Sequence, residues 1–371
     1  MKVAIVHDYI KEYGGAERVL EALCEVFPKA PVYTSVYLPS YLGPHRERFR
    51  KINIKTSWAQ YLPFKAKLIS PIRIISPFLF RSFDFSGYDV VIVSQTGAYF
   101  PNSIIKGKAK LITYCHTPPR YLYGYATARE WKKKAAFRAL GEFINHFLRL
   151  ADFKSSQNVD YFIANSQNVR KRIQKFYRKD SVVIYPPVDI NSKFEILNSK
   201  FKNNKRYFLA GGRLARPKHT DLIVEAFSKN GLQLKIFGKG FAGYGKELES
   251  LAKENVEFLG EVSDKEKYRL MKDAKAFIFA SEDEDFGITP VEAMALGTPV
   301  IAYKSGGILE SIIDKKTGLF FEDLSVESLN KSVEELKNTK FDNNFIKQHG
   351  QKFSKERFKH EIGDFINKLQ L

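Results

Sequence analysis

Two carboxylates, Glu284 and Glu292, flank a glycine turn in Ser281-Glu-Asp-Glu-Asp-Phe-Gly-Ile-Thr-Pro-Val-Glu-Ala-Met-Ala-Leu-Gly-Thr-Pro-Val-Ile-Ala302. That spacing suits a site for sugar hydroxyls beside a phosphate. Thr289 is the expected N-cap of a helix, Pro290 its first residue, and Gly297 with Pro299 its end before the strand Val300-Ala302. Glu292 is then expected in the first helical turn. Gly287 lets backbone N–H groups approach a ligand, and a helix N-terminus favours negative charge. The same residues admit a plainer reading, because Thr289-Pro-Val-Glu292 is also a capping box. Glu282, Asp283, Glu284 and Asp285 repel one another unless a cation or a hydroxyl-rich ligand meets them, and a solvated acidic loop is the alternative.

Other residues offer partners for a diphosphate. Arg213 and Lys218 lie in Gly211-Gly-Arg-Leu-Ala-Arg-Pro-Lys-His-Thr-Asp-Leu-Ile-Val-Glu-Ala-Phe227, which follows an apolar strand and leads into an amphipathic helix. Arginine supplies a planar fork and lysine a point charge. Gly14-Gly15 and Ser305-Gly306-Gly307 are further glycine turns after strands; a tight structural turn is nearly as good a reading of the first. His116, in Tyr114-Cys-His-Thr-Pro-Pro-Arg120, falls just past a strand, where a structural histidine is the ordinary case. Asp283-Glu-Asp285 has the spacing of a metal-binding acidic pair, yet Arg213 and Lys218 already supply positive charge to a diphosphate. No metal site and no cofactor is therefore expected.

Glu284-Asp-Phe-Gly-Ile-Thr-Pro-Val-Glu292 resembles the E-x7-E signature of retaining glycosyltransferases of family 4, which have the two-domain GT-B fold. The likeness extends to His7-Asp8, Gly14-Gly15, His116, Ala164-Asn-Ser166, Arg213 and Lys218. It implies a catalytic role for Glu284, facing the donor sugar, and for His116, beside donor sugar and acceptor. It implies that backbone amides of Phe286-Gly287-Ile288 hold sugar hydroxyls, Glu292 the ribose, Arg213 and Lys218 the diphosphate, and that Gly14 and Gly15 approach the donor phosphate. Cys-His-Thr-Pro followed by Arg-Tyr-Leu looks most like mannosyltransferases of surface polysaccharide assembly, which implies GDP-mannose. Asp285 departs from the more usual glycine, so UDP- or ADP-glucose stays open.

The elements that must position these residues are legible in outline. A chain of 371 residues accommodates two α/β domains. Candidate strands are Val3-Val6, Val90-Ser94, Ala109-Tyr114 and Tyr161-Ala164, then Tyr207-Ala210, Gln233-Phe237, Val256-Leu259, Ala276-Ala280 and Pro299-Ala302. Helical stretches alternate with them, the pattern of parallel sheets. The two doubly wound Rossmann-like domains are expected at 1-187 and 188-352, divided near Pro187 and a polar stretch at 191-206. The segment 353-371, with Phe358, Ile362, Phe365 and Ile366 apolar among Lys and Glu, is expected to form a helix that either crosses back to the first domain, as the last helix of the GT-B fold often does, or simply ends the second. Ligands of such sheets bind at the carboxyl ends of the strands, here in a cleft between the domains.

Cys24 and Cys115 are expected as core residues rather than a disulfide or a metal site. The start lacks the pattern of a signal peptide, and no run of 18 apolar residues occurs, so a cytoplasmic chain is expected. The formal charge of +19, from 60 Lys and Arg against 41 Asp and Glu, suggests an anionic partner such as nucleic acid, a phosphorylated substrate or a membrane surface. Tyr61-Arg81 mixes Lys65, Lys67, Arg73 and Arg81 with large apolar residues, and its prolines disfavour a long core helix. Contact with the inner face of the membrane is expected there. Arg129-Arg149 puts Ala136, Leu140, Phe143, Phe147 and Leu150 on one helical face, for the bilayer or for the core. The expected function is transfer of a hexose from a nucleotide sugar to a lipid-linked or envelope glycan acceptor, with no nucleic-acid partner. A non-catalytic basic binding protein on the same fold and an epimerase are the alternatives.

Overall fold

The computed structural model describes residues 1–127, 135–189, 207–241 and 243–369. The polar stretch at 191–206 and the beginning of the second basic segment, 129–134, lie outside the described residues, as does the side chain of Ala136. The chain divides into two units, the second of which is made of Val188–Ser354 together with the short segment Ala126–Glu130.

In the first unit, β1 (Val3–His7), β2 (Val32–Thr34), β3 (Ile54–Thr56), β4 (Val90–Gln95), β5 (Lys110–Cys115), β6 (Tyr161–Ala164) and β7 (Ser181–Val183) form a parallel sheet in the order β3-β2-β1-β4-β5-β6-β7. The central strand β4 is buried along its whole length because parallel sheets are covered on both faces, and its first four residues are apolar. Side-chain alternation sends Ala4, Val6, Val91, Val93 and Leu111 into one core and Ile5, Val90, Ile92, Ile112 and Tyr114 into the other. The second core is closed by the helix Gly15–Val26 and by the last helix, Lys355–Lys368, through Phe358, Ile362 and Ile366. Arg357 secures that helix by donating to the carbonyls of Tyr185 (2.9 Å) and Pro186 (3.3 Å), and Lys359 pairs with Glu25 at 3.2 Å. The last helix belongs to the first unit from Lys355 onward, whereas Phe353 stays in the second, its ring 5.4 Å from that of Phe286.

The second unit repeats the plan with β8 (Tyr207–Gly211), β9 (Leu234–Phe237), β10 (Val256–Gly260), β11 (Ala274–Phe279), β12 (Val300–Tyr303) and β13 (Gly318–Phe321), in the order β10-β9-β8-β11-β12-β13. One face packs Phe208, Ala210, Ile236, Ile278 and Ile301 against the helices Thr220–Asn230 and Val326–Asn338. Both sheets therefore have the 3-2-1-4 order of the Rossmann fold. Each reverses direction beside its first strand, between β1 and β4 and between β8 and β11, and there the carboxyl ends open a crevice.

Four strands, β2, β3, β7 and β13, escape the apolar-run criterion. Three of them are edge strands, and β2, β3 and β7 are only three residues long, too short for a periodic signal. The helix after the acidic loop is also displaced from expectation. It runs over Ile288–Ala295 with Gly287 as its N-cap at φ 91°, and Thr289 makes no cap. Pro290 is the third helical residue rather than the first, a place where a missing N–H still costs no helical bond. Glu292 is the fifth, so it is not the return arm of a capping box.

Candidate active site

In the second unit the loops after β8 and β11 are tied together at the point where the sheet reverses. Glu282 N–H donates to the Pro217 carbonyl at 2.9 Å, and the Ser281 hydroxyl donates to Glu284 Oε2 at 2.6 Å. Lys218 Nζ donates to the same Glu284 oxygen, so the cation after β8 and the carboxylate after β11 form one pair. The acidic loop does not repel itself apart: Glu284 turns to Lys218, and Glu282 lies 3.4 Å from His219. Among the described residues no three His, Cys, Asp or Glu side chains converge as metal ligands.

Arg213 is exposed, with its guanidinium 4.5 Å from the centre of the Phe241 ring. Stacking on an aromatic face keeps a planar fork extended. Gly287 occupies the left-handed region, and a side chain there would meet Ile308 at 3.0 Å. The loop after β12 approaches even more closely: a Cβ on Gly307 would lie 2.2 Å from the Asp285 carbonyl oxygen, and Gly307 N–H donates to the Glu284 carbonyl at 2.7 Å. These contacts fix the backbone at Phe286-Gly287-Ile288, although the Phe286 ring itself is buried. The result is a helix N-terminus whose first N–H groups have no intrahelical acceptors, with Lys218 held on the adjoining loop through Glu284.

Glu292 is almost wholly buried and receives a hydrogen bond from Lys267 Nζ at 2.8 Å; the same ammonium lies 3.3 Å from Asp264. Lys267 was not legible as a site residue. It sits 25 residues away on a helix with no local motif, and only the packing of Asp264–Asp273 against Ile288–Ala295 brings the two together.

In the first unit Gly14 caps the helix Gly15–Val26, and its N–H donates to Glu17 Oε2 at 2.9 Å. Glu17 Oε1 lies 3.7 Å from His7 Nε2, His7 Nδ1 is 3.1 Å from the Ser94 hydroxyl, and that hydroxyl is 3.0 Å from His116 Nε2. His116 thus stands at the end of a buried polar chain at the β1/β4 switch, with its ring 5.1 Å from that of Tyr114. Burial, and after it the neighbouring His7, pull its pKa down to about 3. Asp8 points to the other face, where it accepts from Thr96 Oγ1 at 2.6 Å and from Tyr99 N–H at 2.9 Å; burial raises its pKa. Cys115 is buried and Cys24 partly so, both as free thiols, and burial pushes the Cys24 thiol up to about 12.

The helix Ala135–Gln157 settles the second basic segment differently from a core helix. Leu140, Phe143, Phe147 and Leu150 are all exposed, while Leu148, Asn145, Asp152 and Ser155 face inward. In Tyr61–Arg81 two short helices, Lys65–Ile72 and Ser76–Arg81, leave Tyr61, Phe64 and Phe78 exposed.

Two Rossmann-like domains, the second with cations, a carboxylate pair and a glycine-capped helix at its switch point, define a nucleotide-sugar enzyme. Residues 13–192 match the model of glycosyltransferase family 4, and residues 192–353 match that of glycosyl transferases group 1. The chain belongs to the family 4 glycosyltransferases, with the GT-B fold, and is a glycosyltransferase. It is 26% identical over 337 residues to the alpha-1,3/1,6-mannosyltransferase ALG2 of Dictyostelium discoideum, covering 77% of each chain. With the mouse protein of the same name it shares 27% over 355 residues, covering 83% of this chain and 81% of that one. Among solved structures, Anabaena HepE in complex with UDP and glucose superposes with a TM-score of 0.68 at 17% identity, over 99% of this chain and 100% of that one. A sucrose-phosphate synthase from Thermosynechococcus elongatus gives 0.69 at 16% identity, over 100% and 99%.

Proposed function

We propose that the protein transfers mannose from GDP-mannose, with retention of configuration, to a lipid-linked or envelope glycan. The observation that carries the donor site is the pairing of Lys218 with Glu284 beside the glycine-capped helix that bears Glu292. In this reading Arg213 and Lys218 meet the diphosphate, and Gly14 and Gly15 approach its phosphate. Glu284 and the amides of Phe286, Gly287 and Ile288 meet the sugar, Glu292 meets the ribose, and His116 lies by the reacting sugar. When the diphosphate arrives, Lys218 exchanges one anion for another, which leaves Glu284 to accept from sugar hydroxyls. Two cations at the diphosphate supply the charge that a divalent ion supplies elsewhere, so transfer needs no metal. Mannose is favoured because the mannosyltransferase relatives align over most of this chain.

The acceptor side is read from the surface. Tyr61, Phe64 and Phe78, interspersed with Lys65, Lys67 and Arg81, suit the anionic inner face of a membrane, where a lipid-linked acceptor would be found. No helix among the described residues is long and apolar enough to cross a membrane. Purified protein is tested with GDP-mannose, UDP-glucose and ADP-glucose by following release of the nucleoside diphosphate, with and without EDTA. GDP release from GDP-mannose, unaffected by EDTA, is expected. Turnover of UDP-glucose alone would reassign the donor. Absence of turnover, and of thermal protection by every nucleotide, would overturn the reading.

A further inference from the structure

The polar chain beneath His116 does more than fill space. Residues two apart on a strand share a face, and the register of β1 on β4 sets His7 opposite Ser94. Ser94 is opposite Tyr114 across β4 and β5, so His116, two residues on, falls on the same face. Its backbone N–H prolongs the ladder by donating to the Gln95 carbonyl at 2.9 Å. The helix Gly15–Val26 covers this face and brings Glu17 to His7. His7 and Ser94 have no exposed surface, whereas His116 keeps 9%.

Proton positions follow from the partners available. His7 Nε2 is buried with no hydrogen bond and has the Glu17 carboxylate 3.7 Å away. A lone pair directed at that carboxylate would be repelled, so the proton sits on Nε2. His7 Nδ1 then accepts from the Ser94 hydroxyl, and Ser94 Oγ accepts from a proton on His116 Nε2. His116 Nδ1 takes no hydrogen bond among the described residues. We propose that Glu17, His7 and Ser94 are positioning residues that hold His116 as the Nε2–H tautomer, presenting the bare Nδ1 as an acceptor for a sugar hydroxyl. The assignment of the hydroxyl rests on the reading of His116 as a residue beside the reacting sugar. Because burial keeps the ring neutral, Nδ1 orients a hydroxyl by accepting from it and carries no charge toward the donor.

Long-range 1H–15N correlation spectra of the free protein labelled with 15N-histidine read the tautomer directly. The wild type is expected to show His116 protonated at Nε2 and bare at Nδ1. Ser94→Ala and His7→Ala are expected to mix the two tautomers, and Glu17→Gln, which keeps an acceptor for Gly14 N–H, to do so more weakly. In turnover, Ser94→Ala should lower kcat by about 10- to 100-fold with the donor KM within about twofold. Ser94→Thr, which keeps the hydroxyl, should recover most of it. A wild-type His116 protonated at Nδ1, or Ser94→Thr as impaired as Ser94→Ala with the tautomer unchanged, would overturn the proposal. The spectrum needs no substrate, so failure of every donor strikes the glycosyl-transfer reading and an Nδ1–H tautomer strikes this one.

Discussion

Lys218 and Glu284, 66 residues apart in the chain, meet as a hydrogen-bonded ion pair where the second sheet reverses direction. The Ser281 hydroxyl donates to the same carboxylate oxygen, so Glu284 is held by two donors from two loops. A lysine paired in this way, with 33% of its side chain exposed, is already oriented for the proposed exchange onto a diphosphate, and little rotamer entropy is left to lose.

Lys218→Ala is expected to raise the donor KM by about 10- to 100-fold, the equivalent of the ~1.5–3 kcal/mol of a charge-assisted hydrogen bond. Glu284→Ala is expected to lower kcat by about 100-fold or more, since in the proposed reading its carboxylate accepts from hydroxyls of the sugar being transferred. Initial-rate kinetics over a range of GDP-mannose separate the two. Full turnover in Glu284→Ala would remove it from the site.

Removing Lys267 takes a hydrogen-bonded cation away from the buried Glu292 carboxylate. Lys267→Ala is expected to destabilise the protein by about 3–5 kcal/mol, measured by denaturant unfolding. Replacing both residues, Lys267→Met with Glu292→Leu, should recover part of that stability because the buried Glu292 charge goes with its cation, while Asp264 loses the same ammonium. Donor affinity should stay lost, which separates the structural pair from the ribose contact.

Asp152 is buried among the hydroxyls of Tyr123 (2.7 Å) and Tyr177 (3.3 Å), and burial lifts its pKa to about 7. A carboxyl raised above its unfolded value favours folding while protonated, and that contribution fades as pH climbs toward 7. At pH 8 the folded state carries a buried charge that Asp152→Asn lacks. The stability of Asp152→Asn relative to wild type should therefore increase by on the order of 2 kcal/mol between pH 5 and pH 8. Thermal unfolding at the two values checks it; an unchanged difference would mean Asp152 does not titrate in this range.

Replacing Tyr61, Phe64 and Phe78 together by serine should reduce sedimentation with vesicles of anionic phospholipid by about tenfold or more, since each buried aromatic is worth roughly 1.5–3 kcal/mol. Turnover of a soluble acceptor analogue should be little changed. Equal binding by the triple variant would leave the exposed stripe Leu140, Phe143, Phe147 and Leu150 as the face to test next.

Much of the fold was legible because apolar runs flanked by turn residues mark buried parallel strands wherever they are long enough. Val90-Ser94 and Tyr207-Ala210 were read to within a residue or so, and β3 and β7 were missed because a three-residue edge strand has neither length nor alternation. The helix after Gly287 was anticipated but started early. A glycine in the left-handed region caps it through backbone geometry, and no side-chain signal announces that.

The sequence by itself determined which residue types were on hand: a cationic pair after one strand, two glutamates around a glycine turn after another, and a histidine at the end of a third. Those follow from local order along the chain, and strand length and loop composition encode them directly. Only the tertiary structure decided that Lys218 grips Glu284, that Lys267 neutralises Glu292, and that Glu17, His7 and Ser94 line up beneath His116. These are contacts between side chains 10 to 87 residues apart, set by strand order, register and which face each residue takes. None of those is written in any one segment, because each depends on how the whole sheet pairs.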